Sequence, residues 1–230
     1  MNWMKKVAVA LVCLLPLGLQ AAKVDTLQVK SPSMDKSIEV VVVSPDVAAT
    51  KACPVIYLLH GYGGNARTWV GIKPDLPKIA DEKGIFFVCP DGKNTWYWDS
   101  PLNADVRYET FISNELVKYV DSHYKTVADR KGRAITGLSM GGHGAMWNGL
   151  RHSDVFSAAG STSGGVDIRP FPKNWEMSVQ IGEKAKYPEN WEKYTVINLV
   201  PTLRKDQIAL IFDCGDSDFF LEVNKNYHEA

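Results

Sequence analysis

Apolar residues in this chain occur in short continuous runs that end at glycine, and stretches with helical spacing separate these runs. Residues 54–61 (PVIYLLHG) and 84–92 (GIFFVCPDG) have this form, which is typical of strands buried on both faces of a sheet. Between them, DLPKIADEKG has the periodicity and the terminal glycine of a short helix. This alternation predicts a mostly parallel sheet flanked by helices.

The same two patterns predict strands and helices in the rest of the chain. Strands are predicted at residues 26–30, 37–44, 133–136, 156–164 and 207–215, and helices at 108–124 and 141–152. Residues 166–200 interrupt the alternation with tryptophan, tyrosine and proline. This segment predicts an irregular, partly helical cap over the ends of the strands.

The first residues differ in kind from the rest. Lys5 and Lys6 precede an apolar stretch, residues 7–19, and small residues follow up to Ala21. The three-part pattern is typical of a secretory signal peptide, and the stretch is short for a membrane span, which needs about 20 apolar residues. We predict a signal peptide at residues 1–21, a periplasmic or secreted protein with no stable membrane anchor, and one α/β domain over residues 22–230. A buried N-terminal helix is the alternative.

The charge balance and the cysteine content limit which partners, disulfides and metal sites are expected. The chain has 26 basic and 26 acidic side chains, a balance that gives no indication of nucleic acid or an anionic membrane as partner. Cys53, Cys89 and Cys214 lie at the edges of predicted strands. Export favours disulfides, but an odd number at such positions favours buried free thiols. No cysteine or histidine spacing indicates a metal site, and we expect neither a metal nor a cofactor.

The run GRAITGLSMGGHGAMWNGL places the pattern Gly-x-Ser-x-Gly where a predicted strand meets a predicted helix. A strand-to-helix turn of this kind exposes the serine above the sheet edge as a nucleophile. The tight turn leaves no room for side chains at Gly137 and Gly141. At a helix N-terminus, backbone N–H groups and the helix dipole favour developing negative charge. Ser139 is therefore the predicted nucleophile; the alternative is a serine in a glycine-rich turn.

Acyl transfer also needs hydrogen-bond donors aimed at the oxygen that becomes negative in the tetrahedral intermediate. In this architecture one donor is the backbone N–H after the nucleophile, here Met140, and the other comes from the loop after an early strand. The loop HGYGG follows the strand VIYLL, so Tyr62 is the predicted second donor. His60 is expected to hold that loop in place by hydrogen bonds.

An acid is expected after a late strand, where it can orient an imidazole. The run LIFDCGDSDFF offers three candidates. Asp213 lies within the strand pattern, whereas Asp216 and Asp218 lie on the loop beyond it.

The segments YLLHGYGGN, TWYWDS, GLSMGGHGA and FDCGDSDFF resemble the esterase D / antigen 85 group of α/β-hydrolases, and within it bacterial tributyrin, feruloyl and acetyl-xylan esterases. The resemblance runs from about Ser37 to Tyr227. It implies the α/β-hydrolase fold, oxyanion donors at Tyr62 and Met140, and Asp218 as the acid, because the acid in that group directly precedes the aromatic pair.

The catalytic histidine of that group lies after one more helix and strand, in a segment of the form GGH-x-W, which residues 1–230 do not contain. We therefore expect a C-terminally incomplete esterase that is poorly active and less stable than the full protein. His228 follows Asp218 in the expected order, but only ten residues later, which leaves no room for that helix and strand. His143 is expected to pack or cap within its helix, and His123 and His152 to lie at the surface.

The resemblance implies a serine carboxylesterase acting on short-chain esters or on feruloyl or acetyl esters of carbohydrate. The substrate would be a small molecule or an ester linked to a polysaccharide. Tryptophans in TWYWDS, with Trp175 and Trp191, could bind an aromatic group or a sugar, although packing explains them equally well. An exported acyltransferase of the mycolyl-transfer kind and a non-catalytic binding module are the alternatives.

Overall fold

A computed structural model describes residues 22–230; the predicted signal segment, residues 1–21, lies outside the described residues. One seven-stranded sheet runs through the described chain, in the order β1-β2-β4-β3-β5-β6-β7. The strands are β1 (Lys23–Ser31), β2 (Lys36–Ser44), β3 (Val55–Leu59), β4 (Phe86–Pro90), β5 (Arg133–Gly137), β6 (Ala158–Thr162) and β7 (Ala209–Asp213).

One strand of this sheet, β2, runs opposite to the other six. β1 pairs antiparallel with β2, and β2 pairs antiparallel with β4. All later neighbours are parallel, from the β3–β4 pair through to the β6–β7 pair. The carboxyl ends of β3, β5, β6 and β7 therefore meet at one edge, where ligands bind in open α/β sheets.

Helices cover the sheet as the alternation predicts. They are α1 (Thr68–Ile72), α2 (Leu76–Lys83), α3 (Tyr108–Thr110), α4 (Leu116–His123), α5 (Met140–Arg151), α6 (Met177–Ile181), α7 (Pro188–Lys193) and α8 (Leu221–Glu229). A π-helical segment, Phe111–Glu115, joins α3 to α4, so the helix predicted at residues 108–124 is one continuous element with a local bulge. Helix α5 is buried from Met140 to Leu150, which places it between the sheet and the cap.

Most of the predicted elements are confirmed, and α1 was missed. The segment at residues 166–200 is irregular and partly helical as predicted, with α6, α7 and a 3₁₀ helix at Val196–Thr202. It packs on the loop after β4, where the hydroxyl of Ser100 donates to the carbonyl of Gln180 at 2.6 Å and that of Tyr194 donates to the carbonyl of Asp99 at 2.8 Å. The cap is therefore fixed to the carboxyl edge of the sheet.

Side-chain burial settles two of the open alternatives. Trp96, Trp98 and Trp191 are almost fully buried, so packing explains these three tryptophans. The cysteines of the described chain are free thiols, with Cys53 and Cys89 buried, as the strand-edge positions predict. No helix within residues 22–230 is long and apolar enough to cross a membrane.

Candidate active site

The turn between β5 and α5 has a strained backbone. Ser139 adopts φ 54° and ψ −118°, a conformation that side-chain-bearing residues rarely hold. A Cβ atom on Gly137 would lie 2.3 Å from the carbonyl oxygen of Gly141, and one on Gly141 would lie 2.2 Å from that of Leu59. Both positions therefore require glycine. Strain of this kind persists only where the surrounding structure enforces it, and it is frequent at functional sites.

Two backbone hydrogen bonds hold Ser139 in this conformation. Its N–H donates to the carbonyl of Thr162 at the end of β6, at 2.9 Å, and its own carbonyl accepts from the N–H of His143 at 3.0 Å. The side chain is half-buried. The hydroxyl therefore stands at the N-terminus of α5, where the helix dipole favours negative charge.

The loop after β3 passes beside the serine. A Cβ atom on Gly61 would lie 2.7 Å from Cδ1 of Leu138 and 3.5 Å from Cβ of Ser139. Tyr62 is the next residue, and within residues 22–230 no backbone carbonyl accepts from its N–H. Met140 is the first residue of α5, where N–H groups have no intrahelical acceptor. The structure thus brings both predicted oxyanion donors next to Ser139.

His60 holds this loop through both ring nitrogens. Its Nδ1 lies 2.7 Å from the carbonyl oxygen of Gly61, and its Nε2 accepts from the N–H of Gly92 at 2.9 Å. Because Nε2 accepts, the proton of the neutral ring lies on Nδ1 and is donated to Gly61. The Tyr97 hydroxyl donates to the carbonyl of His60 at 3.1 Å. His60 is buried and fully bonded, which is the structural role predicted for it.

Asn94 and Glu176 also contact this loop, and sequence reasoning missed both. Oδ1 of Asn94 accepts from the N–H of Gly63 at 2.9 Å, and its Nδ2 donates to Glu176 at 3.2 Å. Desolvation and the neighbouring Glu176 carboxylate raise the pKa of the Tyr62 phenol. The cap is therefore connected to the residues on either side of the Tyr62–Gly63 peptide. No local motif signals this contact, since it joins segments far apart in sequence.

Asp218 lies on the loop between β7 and α8, as predicted. Its Oδ1 accepts from the N–H of Phe220 at 2.7 Å, and its carbonyl accepts from the N–H of Leu221 at 3.0 Å. Asp218 is half-buried, whereas Asp216 is exposed and bonded to its neighbour Ser217. Of the two loop carboxylates, Asp218 is therefore the more buried and the one that accepts a backbone N–H.

Asp213 ends β7, as predicted, and its backbone carbonyl accepts from the N–H of Ser163 at 2.8 Å. This bond ties the end of β7 to the residue that follows β6, beside the carbonyl that accepts from Ser139. Asp213 therefore belongs to the sheet edge rather than to the loop that would orient an imidazole.

His143 is the histidine closest to Ser139 in sequence, and both of its ring nitrogens are hydrogen-bonded. Its Nδ1 donates to the carbonyl of Gly165 at 2.8 Å, and its Nε2 accepts from Nε1 of Trp98 at 2.8 Å. Burial lowers the pKa of His143 to about 4. A ring with both nitrogens bonded in the core has no free position from which to activate a serine, so His143 packs as expected.

The other three histidines have contacts elsewhere in the structure. His123 stacks on Tyr119 at the surface, and His152 bonds Glu109 at 2.8 Å through Nε2. His228 is exposed in the last turn of α8 and lines a surface cavity of about 370 Å³ with Asp213. Of the chain's five histidines, all within the described residues, none hydrogen-bonds Ser139. The same residues contain no cluster of His, Cys, Asp and Glu that could hold a metal ion.

Comparison with known proteins gives one family. A family model described as "Putative esterase" matches residues 31–230. An esterase of Mycobacterium tuberculosis is 33% identical over 123 residues, which are 50% of this chain and 26% of that protein. An acetyl esterase of Caldicellulosiruptor saccharolyticus is 26% identical over 189 residues, 74% of this chain and 68% of that protein. The match thus spans about a quarter of the mycobacterial relative.

Solved structures agree on the fold. A ferulic acid esterase superposes with a TM-score of 0.74 and 28% identity, covering 91% of this chain and 85% of the other. An S-formylglutathione hydrolase from Agrobacterium tumefaciens gives the same TM-score at 22% identity, with 91% and 82% covered. The sheet order and helix placement are therefore those of the α/β-hydrolase fold, as predicted.

Proposed function

The chain belongs to the Putative esterase family, and we propose that it is an exported serine carboxylic-ester hydrolase that works through an acyl-enzyme. The observation that carries this proposal is the strained Ser139, held at the N-terminus of α5 with the Gly61 loop against its side chain. Relatives named esterase and acetyl esterase support hydrolysis of carboxylic esters.

In the proposed mechanism the Ser139 hydroxyl attacks the ester carbonyl and loses its proton to an imidazole base. The N–H groups of Tyr62 and Met140 bind the oxyanion, and donors of this kind are each worth about a hundred- to a thousand-fold in rate. The alcohol leaves with the proton, and water then releases the acid from the acyl-enzyme. Asp218 orients the imidazole.

No described histidine occupies the position of that base, because His60 and His143 are bonded through both ring nitrogens and the remaining three do not hydrogen-bond Ser139. Without a base a serine is a weak nucleophile at neutral pH. We therefore expect the 230-residue chain to be slow by itself and to respond to an added base. A non-catalytic binding module with a hydrolase body is the second candidate, and the same arrangement of histidines favours it.

For the substrate we propose short-chain esters, or feruloyl or acetyl esters of carbohydrate. The acetyl esterase and the ferulic acid esterase among the similar proteins support this class. The signal peptide predicted from the sequence supports a substrate outside the cytoplasm. Transfer to a sugar acceptor, as in a mycolyl-type acyltransferase, remains the other acyl-transfer reaction that the same serine could support.

The test is chemical rescue of the missing base. Hydrolysis of 4-nitrophenyl acetate by the chain is measured at increasing imidazole concentrations. The rate measured with Ser139→Ala at the same imidazole concentration is subtracted, because it reports the reaction of imidazole itself. Saturable hydrolysis that depends on Ser139, together with labelling of Ser139 by a fluorophosphonate, supports the esterase. A folded chain whose rate equals that of Ser139→Ala throughout, and which takes no label, supports the binding module. Adding a sugar acceptor and analysing the products separates transfer from hydrolysis.

A further inference from the structure

A cavity of about 420 Å³ is lined by residues of β1, β2 and α3 and of the loops that follow β3 and β4. We name it the basic cavity, because three cationic side chains line it: Lys36, Arg67 and Lys93. Its volume lies within the range of small-molecule sites, about 300 to 1,000 Å³. None of the residues proposed for acyl transfer lines it, so a ligand in the basic cavity would occupy a second site.

The two carboxylates that line the basic cavity already face cations. Asp91 is buried; one of its oxygens accepts from the N–H of Lys93 at 2.9 Å, and the other lies 2.6 Å from Nζ of Lys93. Glu39 lies 3.7 Å from Nε of Arg67. Lys36 donates to a backbone carbonyl at 2.9 Å and has no carboxylate partner within residues 22–230. Three cations against two carboxylates leave the cavity with a net positive charge.

The cationic side chains have hydrogen-bond donors that the protein does not use. An ammonium carries three N–H groups and a guanidinium five. Lys36 has one acceptor, and Arg67 gives one N–H to the hydroxyl of Thr26 at 3.2 Å. Oδ1 of Asn65 accepts from the backbone N–H of Arg67 at 2.9 Å, and in the described part of the chain nothing accepts from its Nδ2. A ligand rich in acceptor oxygens would satisfy these donors.

Tyr108 is the buried polar side chain that indicates a ligand. It is 2% exposed and lines the basic cavity, yet its hydroxyl has no hydrogen-bond partner among residues 22–230. Buried tyrosine hydroxyls usually have such a partner. Burial and the nearby Asp91 carboxylate raise the pKa of Tyr108 to about 12, so the phenol keeps its proton at neutral pH. Its O–H is therefore a donor left for a bound group.

The cavity chemistry disfavours sugars and cations. Among the described residues that line it, Tyr108 is the one aromatic residue, and Nζ of Lys36 lies over its ring, 5.1 Å from the centroid. No ring face is therefore open for stacking. A metal ion would meet a net positive charge, and like charges repel. Lysine and arginine side chains instead bind the oxygens of phosphate and carboxylate groups.

We propose that the basic cavity binds an oxyanion, a phosphate or carboxylate group of a small ligand, held by Lys36, Arg67 and Lys93 and by a hydrogen bond from the Tyr108 hydroxyl. The bound anion would bridge the loops that follow β3 and β4. This inference goes beyond the proposed function and does not depend on it, because the two use different residues.

The test is isothermal titration calorimetry with inorganic phosphate, citrate and glucose, each at constant ionic strength. At least one of the two anions should bind about tenfold or more tightly than glucose, since charge-assisted hydrogen bonds are the stronger ones. Tighter binding of phosphate assigns the site to a phosphate group, and tighter binding of citrate assigns it to a carboxylate-bearing ligand. Anion binding should weaken as NaCl is raised, because salt screens the attraction.

Two conservative variants locate the anion. Tyr108→Phe removes the hydroxyl and keeps the ring, and Lys36→Gln removes one charge. Each should weaken anion binding by about tenfold, because each takes away a hydrogen bond to a charged group. Tyr187→Phe is the matched control for the hydroxyl, since Tyr187 is 37% exposed on the cap. Lys78→Gln is the matched control for the charge, since Lys78 is exposed on α2. Both controls should bind the anion as the unmodified chain does.

Ser139→Ala tests whether the anion lies beside the serine instead. It should bind the anion as tightly as the unmodified chain, and weaker binding would place the anion at the oxyanion donors and overturn the inference. Glucose binding as tightly as both anions would also overturn it. So would Tyr108→Phe and Lys36→Gln binding like their controls. Far-UV circular dichroism checks that each variant is folded, and either of the two cavity variants suffices for the comparison.

Discussion

Oδ1 of Asn94 accepts a hydrogen bond from the backbone N–H of Gly63 at 2.9 Å. The Gly63 N–H belongs to the Tyr62–Gly63 peptide, which directly follows the Gly61–Tyr62 peptide that carries the proposed oxyanion donor, the Tyr62 N–H. The bond to Asn94 therefore restrains the donor peptide from its C-terminal side. The donor peptide itself is held by His60, whose Nδ1 donates to the carbonyl oxygen of Gly61. Preorganised donors stabilise the developing negative charge without having to reorient during the reaction. Asn94 is therefore a positioning residue for the oxyanion site rather than a catalytic residue.

Asn94→Ala should slow the Ser139-dependent, imidazole-supported hydrolysis by about fivefold, because loss of one hydrogen bond is worth about 1 kcal/mol. The loss should appear in kcat, with KM little changed, since the ester itself does not contact Asn94. Asn103→Ala is the control: its Oδ1 likewise accepts a backbone N–H at 2.9 Å, from Asp105, in an exposed loop. Equal rate losses in the two variants would contradict the positioning role.

Gly141→Ala should abolish folding or lower stability severely. The new Cβ would lie 2.2 Å from the carbonyl oxygen of Leu59 and 2.5 Å from its carbon, and backbone on both sides leaves nothing flexible to move. Gly71→Ala is the opposite case. Gly71 lies in α1, and a Cβ atom added there would meet no atom within 4 Å. That variant should gain about 1 kcal/mol from helix propensity. Thermal melts and far-UV circular dichroism of both variants check the pair, and a well-folded Gly141→Ala would contradict the turn geometry.

The stability of this protein should depend on pH through His143. Burial lowers its folded-state pKa to about 4, whereas an unfolded chain binds the same proton near pH 6.5. Between these values the unfolded state holds more protons, so the free energy of unfolding falls as pH drops from about 6.5 to about 4. The full effect is on the order of 3 kcal/mol.

Urea unfolding at pH 7 and pH 4.5 measures this dependence. His143→Gln removes the titration, so its stability should change less between the two pH values than that of the unmodified chain, even though it is less stable overall. His123→Gln changes an exposed histidine instead and should keep the original dependence. If His143→Gln loses as much stability on acidification as the unmodified chain, another group is responsible.

The local parts of the site could be predicted from sequence. The strand, the glycines and the helix around Ser139 lie within one continuous segment, and the close contact at Gly141 explains why glycine is required there. The loop at Tyr62 could be located for the same reason, since it follows directly from the end of β3. The residues alone left Asp216 and Asp218 open as the acid, and only the family resemblance implies Asp218. Burial on both faces of β3 also follows from its unbroken apolar run.

The non-local parts could not be predicted. Asn94 and Glu176 meet because the cap folds over the loop after β4, with Glu176 in a left-handed conformation that its residue type does not suggest. The run of valines in β2 indicates a strand, but its antiparallel direction depends on pairing with β1 and β4. Helix α1 was missed because it has only five residues, too few for a periodic pattern.

Strand β7 should make this chain prone to association. It lies at the edge of the sheet, and Ile211 on its outer face is 75% exposed. An exposed apolar edge strand is a template for pairing with another chain, and a lysine on such a strand prevents it. Ile211→Lys should therefore lower the concentration-dependent light scattering of the chain while changing its stability by no more than about 0.5 kcal/mol.

Val24→Lys is the matched control, because Val24 is 45% exposed on β1, the opposite edge of the same sheet. Both variants add one positive charge, so a general effect of charge would lower scattering equally in both. A larger effect for Ile211→Lys assigns the association to β7. Unfolding of Ile211→Lys would instead mean that the side chain is covered in the native protein, and it would contradict the description of β7 as an open edge.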